Sequence, residues 1–129
     1  MKLQTLLLIF TISLGLLSCE KYDEGGSLAN ADKNISETLW KIESAYDIED
    51  NADITEDYTA ELWEFTEDGI FKINAEMKGT YAFSADMKTL FISNNSGTEA
   101  DMYTVERLDK EAMWLILPGE LELHFVPNA

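Results

Sequence analysis

From Leu39 onward, apolar and polar residues alternate with a period close to two, the pattern of strands with one buried face. Eight runs carry it. The first, Leu39 to Tyr46, places Trp40, Ile42 and Tyr46 on one side and Lys41 and Glu43 on the other, and the second, Ala60 to Thr66, points Trp63 and Phe65 one way. Asp68-Gly69 is a hairpin signal, and the third run, Ile70 to Met77, sets Phe71, Ile73, Ala75 and Met77 against Lys72, Asn74 and Glu76. A turn at Gly79 leads to a fourth run with Tyr81 and Phe83 on one face; Thr89 to Ser93, Met102 to Leu108, Ala112 to Leu117 and Leu121 to Val126 complete the set. Most connections are short, which joins sequential antiparallel neighbours and leaves no length for the crossovers of parallel strands. The pattern predicts an all-β meander, an antiparallel up-and-down sheet that removes its edges by closing into an eight-stranded barrel.

A barrel of this size is either just filled by side chains or holds one small ligand. The inward positions are heavy: Trp40, Tyr46, Trp63, Phe65, Phe71, Tyr81, Phe83, Tyr103 and Phe125 compete for the space, and each aromatic buries about 150 to 250 Å². That load predicts a largely packed interior with at most a shallow pocket at one mouth. The residues that would line a ligand site are Trp40, Trp63, Phe65, Phe71, Tyr81, Phe83, Tyr103 and Phe125, with the tyrosines as its polar handles. The seventh run, Ala112-Met113-Trp114-Leu115-Ile116-Leu117, is apolar on both faces, so either Trp114 with Ile116 or Met113 with Leu115 must look outward. Two covers are open: a short helical turn before the first strand, carrying Ile35 and Leu39 and capped by Asn34 or Ser36, or a partner protein contacting Trp114 and Ile116.

Ahead of the strands the composition changes twice. Met1 and Lys2 precede Leu3 to Leu17, fifteen residues without a charge; as a helix they would span roughly 22 Å, short of a bilayer core of about 30 Å. This is the make-up of a secretory signal, so residues 1–18 are set apart from the fold. Glu20 to Asn34 is rich in Gly, Ser, Asn, Asp and Ala, with Leu28 its only aliphatic side chain larger than Ala, and so predicts a flexible tether over 19–34 with an average reach of roughly 20 Å. The domain itself is expected over 35–129.

The single cysteine, Cys19, stands at the junction of these two segments. Leu16-Leu17-Ser18-Cys19 resembles the lipobox of bacterial lipoproteins, which implies a diacylglycerol on the Cys19 sulfur and an acylated Cys19 amine. One acyl chain anchors a protein only marginally, whereas two or more hold it stably, at about 0.8 kcal/mol per buried CH₂. Glu20-Lys21-Tyr22-Asp23-Glu24 is similar to the Lys-plus-acidic signal that sends Bacteroidota lipoproteins to the cell surface; a plain solvated linker is the other reading.

Charge narrows the function classes. Without Lys2 the chain keeps 25 acidic residues against 8 basic ones, a formal charge of −17. Such a surface repels phosphate backbones and anionic headgroups, which excludes nucleic-acid binding and electrostatic membrane adhesion, so attachment to a membrane must be covalent. One cysteine allows no intrachain disulfide. His124, the only histidine, alternates with Leu123 and Phe125 and so faces solvent; without a second His or Cys in the folded part, the usual zinc sites and Ser-His or Cys-His pairs are absent. No cofactor, resident metal or catalytic residue is expected, and the chain reads as a non-enzyme. The long connection Asp47 to Thr59, at the barrel mouth, spaces Asp47, Glu49, Asn51 and Asp53 like the front of a calcium loop, but Ala52 replaces the glycine and Tyr58 the bidentate Glu. A solvated acidic loop is the favoured reading, with loose calcium association as the alternative.

Trp40 at the head of strand one, Trp63-x-Phe65 followed by Asp68-Gly69, Gly79-x-Tyr81, and Lys88-x-Leu90-x-Ile92 together resemble the lipocalin-like domain of small Bacteroidota lipoproteins, over Ile35 to Phe125. The resemblance implies a lipocalin-like eight-stranded barrel and, from lipocalins proper, carriage of a small hydrophobic ligand. The glycine that precedes the lipocalin tryptophan is absent: Thr38-Leu39-Trp40 stands in its place. Two functions stay open for a lipoprotein anchored in the outer membrane: binding a small hydrophobic molecule, or contacting another envelope protein with a packed barrel.

Overall fold

The computed structural model describes residues 20–128. The segment 1–18, expected to be a signal peptide, and Cys19 lie outside the described residues. The described residues form two 3₁₀ turns (Leu28–Asn30 and Thr55–Tyr58), one helix, α1 (Ala31–Ser36), and nine strands: β1 (Leu39–Asp47), β2 (Ala52–Asp53), β3 (Leu62–Phe65), β4 (Ile70–Ile73), β5 (Glu76–Phe83), β6 (Thr89–Asn94), β7 (Ala100–Leu108), β8 (Met113–Leu117) and β9 (Leu121–Pro127). From β3 to β9 each strand pairs antiparallel with the next, β3 also pairs with β1, and β9 returns to β1 from Trp40↔Pro127 to Asp47↔Leu121. This is a closed eight-stranded antiparallel barrel; the two-residue β2 is an annex folded back on the end of β1.

Four departures from strict alternation shape it; the last, late in the chain, makes Glu106 the extra residue between Val105↔Leu115 and Arg107↔Trp114. Across Ile42↔Phe125 and Ser44↔His124, Glu43 is an extra residue, a bulge that flips the rest of β1. Ala45 is therefore buried and Tyr46, expected inside, is outside and 38% exposed. A second bulge makes Lys78 the extra residue between Phe71↔Gly79 and Lys72↔Met77, which leaves Met77 exposed rather than inward. The third is a turn. Alternation and composition place it at Gly79, but the chain reverses at Asn74-Ala75, both with positive φ (53° and 66°), the handedness that suits a twisted hairpin. The Asn74 side-chain oxygen accepts the Leu62 N–H at 2.9 Å, which ties that turn to β3. Gly79 instead lies inside β5 because the strands crowd there: a Cβ would sit 1.7 Å from the Ser93 carbonyl oxygen.

The expected tether is a correction. Glu20–Ser36 folds across the barrel end where β3, β5 and β7 finish: Tyr22, Leu28, Ala31 and Ile35 are buried in the same core as the strands. The Tyr22 hydroxyl donates to the Met87 carbonyl at 2.7 Å, Glu24 N–H to Glu106 O at 2.8 Å, and Leu108 N–H to Gly25 O at 3.1 Å. Gly26, at φ +99°, lies so close to Leu108 that a Cβ would be 1.9 Å from its carbonyl oxygen. The glycines that read as linker are thus what lets the backbone lie flat on β7. Helix α1 begins at Ala31, so Asn34 and Ser36 are inside it and do not cap its start; the buried Trp40 indole N–H donates to Ile35 O at 3.2 Å and locks it to β1.

If this segment is part of the core, Ile35→Ala lowers stability by about 2 to 5 kcal/mol, the range for emptying a fully buried aliphatic site. Urea denaturation of the 20–129 fragment measures it; an unchanged midpoint would restore the tether.

Candidate functional site

The eight residues expected around a ligand all point inward, and five of them, Trp63, Phe65, Phe71, Tyr81 and Phe125, meet ring to ring. Trp63 is 5.0 Å from both Phe71 and Phe125, centroid to centroid, and Phe65 is 5.2 Å from Phe71 and 5.1 Å from Tyr81, the last edge-on. Each such pair adds about 0.5 to 1.5 kcal/mol beyond the area it buries. Trp40, Phe65 and Phe125 are fully buried and Trp63, Phe71 and Tyr103 nearly so, while Tyr81 and Phe83 are half-buried near the closed end. Of the tyrosine handles, Tyr81 donates to the Thr66 carbonyl; beside it the Trp63 indole donates to Glu61 Oε1 at 3.0 Å.

The opposite end, the mouth, is roofed by the long acidic connection. Ile54 and Tyr58 pack on the core, Ile54 N–H donates to Ala45 O at 2.9 Å and Ala45 N–H to Thr55 Oγ1 at 3.0 Å. Its carboxylates are used locally. Asp47 accepts the Asp50 N–H at 3.0 Å, and Asp53 accepts both the hydroxyl and the N–H of Thr55, which hold its carboxyl below the usual range. Among the described residues no three His, Cys, Asp or Glu side chains converge so as to hold a metal ion. At the rim between β4 and β7, a recess of about 200 Å³ is lined by Phe71 and Ile92 below Lys78, Asn94, Glu99 and Asp101.

Outside the barrel, Trp114 and Ile116 face outward, and Met113 and Leu115 take the core side, fully buried. Their cover is not α1, whose Ile35 fills the closed end, nor Leu39, which is itself exposed. It comes from the flanking strands. His124 on β9 stacks on Trp114 at 4.3 Å and 7°, and the Arg107 guanidinium of β7 lies 5.3 Å from the ring centroid. Each flank is braced in turn, Arg107 by Asp109 and His124 by Glu122, both at 2.9 Å. Burial alone would raise the Asp109 carboxyl, but hydrogen bonds from Arg107 and from the Glu111 and Ala112 N–H groups hold it below its usual range.

A second outer face is one that strand alternation did not single out. Across β5, β6 and β7 the outward rows are Ala82↔Phe91↔Met102 and Thr80↔Ser93↔Ala100, with Thr89↔Thr104 beside them. None is charged, and Met102 is 57% exposed, in a chain of formal charge −16. The signal was in the composition of the outward positions: these runs place Thr, Ser and Ala where β1, β3 and β4 place Lys and Glu.

Burial, then the nearby Asp32, Asp68 and Glu67 charges, push the Tyr81 phenol from 10.0 up to about 12; burial likewise raises Tyr22 and Tyr103. The fold favours the neutral phenol, so the stability it contributes is complete below pH 10.0 and is lost as pH rises through about 12. Phenolate absorbance followed against pH gives a late step that Tyr81→Phe removes; a Tyr81 that titrates at the ordinary value overturns the closed-end packing.

No family model matches the chain, and no curated protein matches it.

Proposed function

We propose that this chain is a lipid-anchored lipoprotein of the outer membrane whose filled, lipocalin-like barrel acts without catalysis, through protein contacts on its outer wall. The observation that carries this reading is the continuous aromatic contact from Phe125 through Trp63, Phe71 and Phe65 to Tyr81, with both ends of the barrel covered. A barrel so filled leaves little interior for a ligand beyond the rim recess. The uncharged face around Phe91 and Met102 is the surface such a partner would use: exposed apolar groups framed by polar neighbours mark contact sites, and a partner meeting it desolvates no carboxylate. A second reading, carriage of a small hydrophobic molecule, is favoured by one feature, the rim recess over Phe71 and Ile92.

Mass spectrometry of organic extracts from the purified 20–129 fragment separates the two. No stoichiometric small molecule is expected; one that copurifies repeatedly assigns the rim recess to a ligand and overturns the filled-barrel reading. In cells, a photo-crosslinking residue at position 102 is expected to give one discrete adduct that Ala82→Asp abolishes while the fold survives.

The anchor is tested separately. Cys19→Ser leaves the chain out of the membrane fraction and abolishes incorporation of labelled fatty acid, while the wild-type chain incorporates it; membrane retention of the variant would sink the lipoprotein reading.

A further inference from the structure

With Cys19 acylated, the reading on which this proposal rests, the anchor has no slack. Cys19 is followed directly by Glu20, and Glu20 already belongs to the folded end of the barrel. Its carbonyl accepts the Leu28 N–H at 3.4 Å, Lys21 bridges to Ser27, and Tyr22 is buried and held by Met87. Glu20 lines one recess with Leu28, Asp86 and Lys88, on the closed end. One residue of chain reaches at most about 3.6 Å. The acyl chains therefore leave the protein within one residue of that end.

We propose that the closed end, built from Glu20–Ser36 and the turn at 84–88, rests directly on the bilayer surface, and that the mouth with its acidic connection points away from it. A disordered tether would have let the barrel stand off by roughly 20 Å and tumble; the folded segment removes both freedoms. The orientation is set by the short anchor and not by charge, because carboxylates outnumber lysines at the closed end as well. Lys21, Lys33, Lys88 and Lys110 are exposed there and report contact with the bilayer.

The mature chain from Cys19 to Ala129 has one thiol, which couples it to a maleimide-bearing phosphatidylethanolamine in phosphatidylcholine vesicles. The result then does not depend on whether cells acylate Cys19, which the fractionation of Cys19→Ser decides on its own. Lysine acetylation read by peptide mass spectrometry compares vesicle-bound with free protein. Lys21, Lys33, Lys88 and Lys110 are expected to react several-fold more slowly on the vesicle and Lys78, at the mouth, at its free rate. A long Gly-Ser insert between Cys19 and Glu20 restores all rates. Equal rates without the insert, or protection of Lys78 in place of the closed-end lysines, overturns the proposal.

Discussion

The return of β9 onto β1 is the constraint on which the rest depends. Pairing from Trp40↔Pro127 to Asp47↔Leu121 leaves no free sheet edge along the barrel wall, and it divides every strand residue into one that must share a small interior and one that must meet water. Inside, the sequence places large rings. A barrel of this circumference closes around them with little to spare, so the rings pack in tilted and edge-on pairs. The Trp40 indole reaches Ile35 and the Tyr81 hydroxyl reaches Thr66.

Closure of the wall leaves two open ends, and the chain covers each with a segment whose composition belies its position. At one end sits the Gly- and Asp-rich stretch before β1; at the other, the acidic connection after it. Both succeed by the same means: a few apolar anchors (Tyr22, Leu28, Ala31 and Ile35 below; Ile54 and Tyr58 above) are turned into the core while polar residues satisfy local backbone groups. Average polarity does not decide whether a short segment folds when a preformed apolar end is there to receive its anchors.

That is also where the sequence was illegible. The period of two placed the strands, the meander and the inward rings, because alternation on a half-buried sheet follows directly from burial. It failed wherever a single residue broke the register. Nothing in Lys41-Ile42-Glu43-Ser44 announces a bulge, yet one extra residue sends Tyr46 out and Ala45 in. Gly79 looked like a turn because turns favour glycine, but here glycine answers a close approach of β6, and Asn74-Ala75 makes the turn without one. The glycines at 25 and 26 misled in the same way: they permit contact with β7, and only the three-dimensional partner distinguishes that from a linker. The rings expected around a ligand were legible as inward, but whether inward rings enclose a space or fill it depends on rotamers and on the two end caps, and neither is encoded in spacing.

The outer wall shows the chain treating two apolar sites differently. Trp114, which alternation left outside, is flanked by Arg107 and His124, and these are held by Asp109 and Glu122, so side chains of β7 and β9 cover part of the indole. Met102, farther along β7 with Phe91 as its neighbour, receives no such cover: the other outward positions around it are Ala, Thr or Ser. Long charged stems routinely lie over exposed apolar groups, and a chain with 25 acidic residues has the means to do so. Their absence from one continuous face keeps that face free of the desolvation cost that carboxylates would bring to a contact. An aromatic-packed interior and an uncharged outer face are the two features on which the proposed contact at the barrel's outer wall rests.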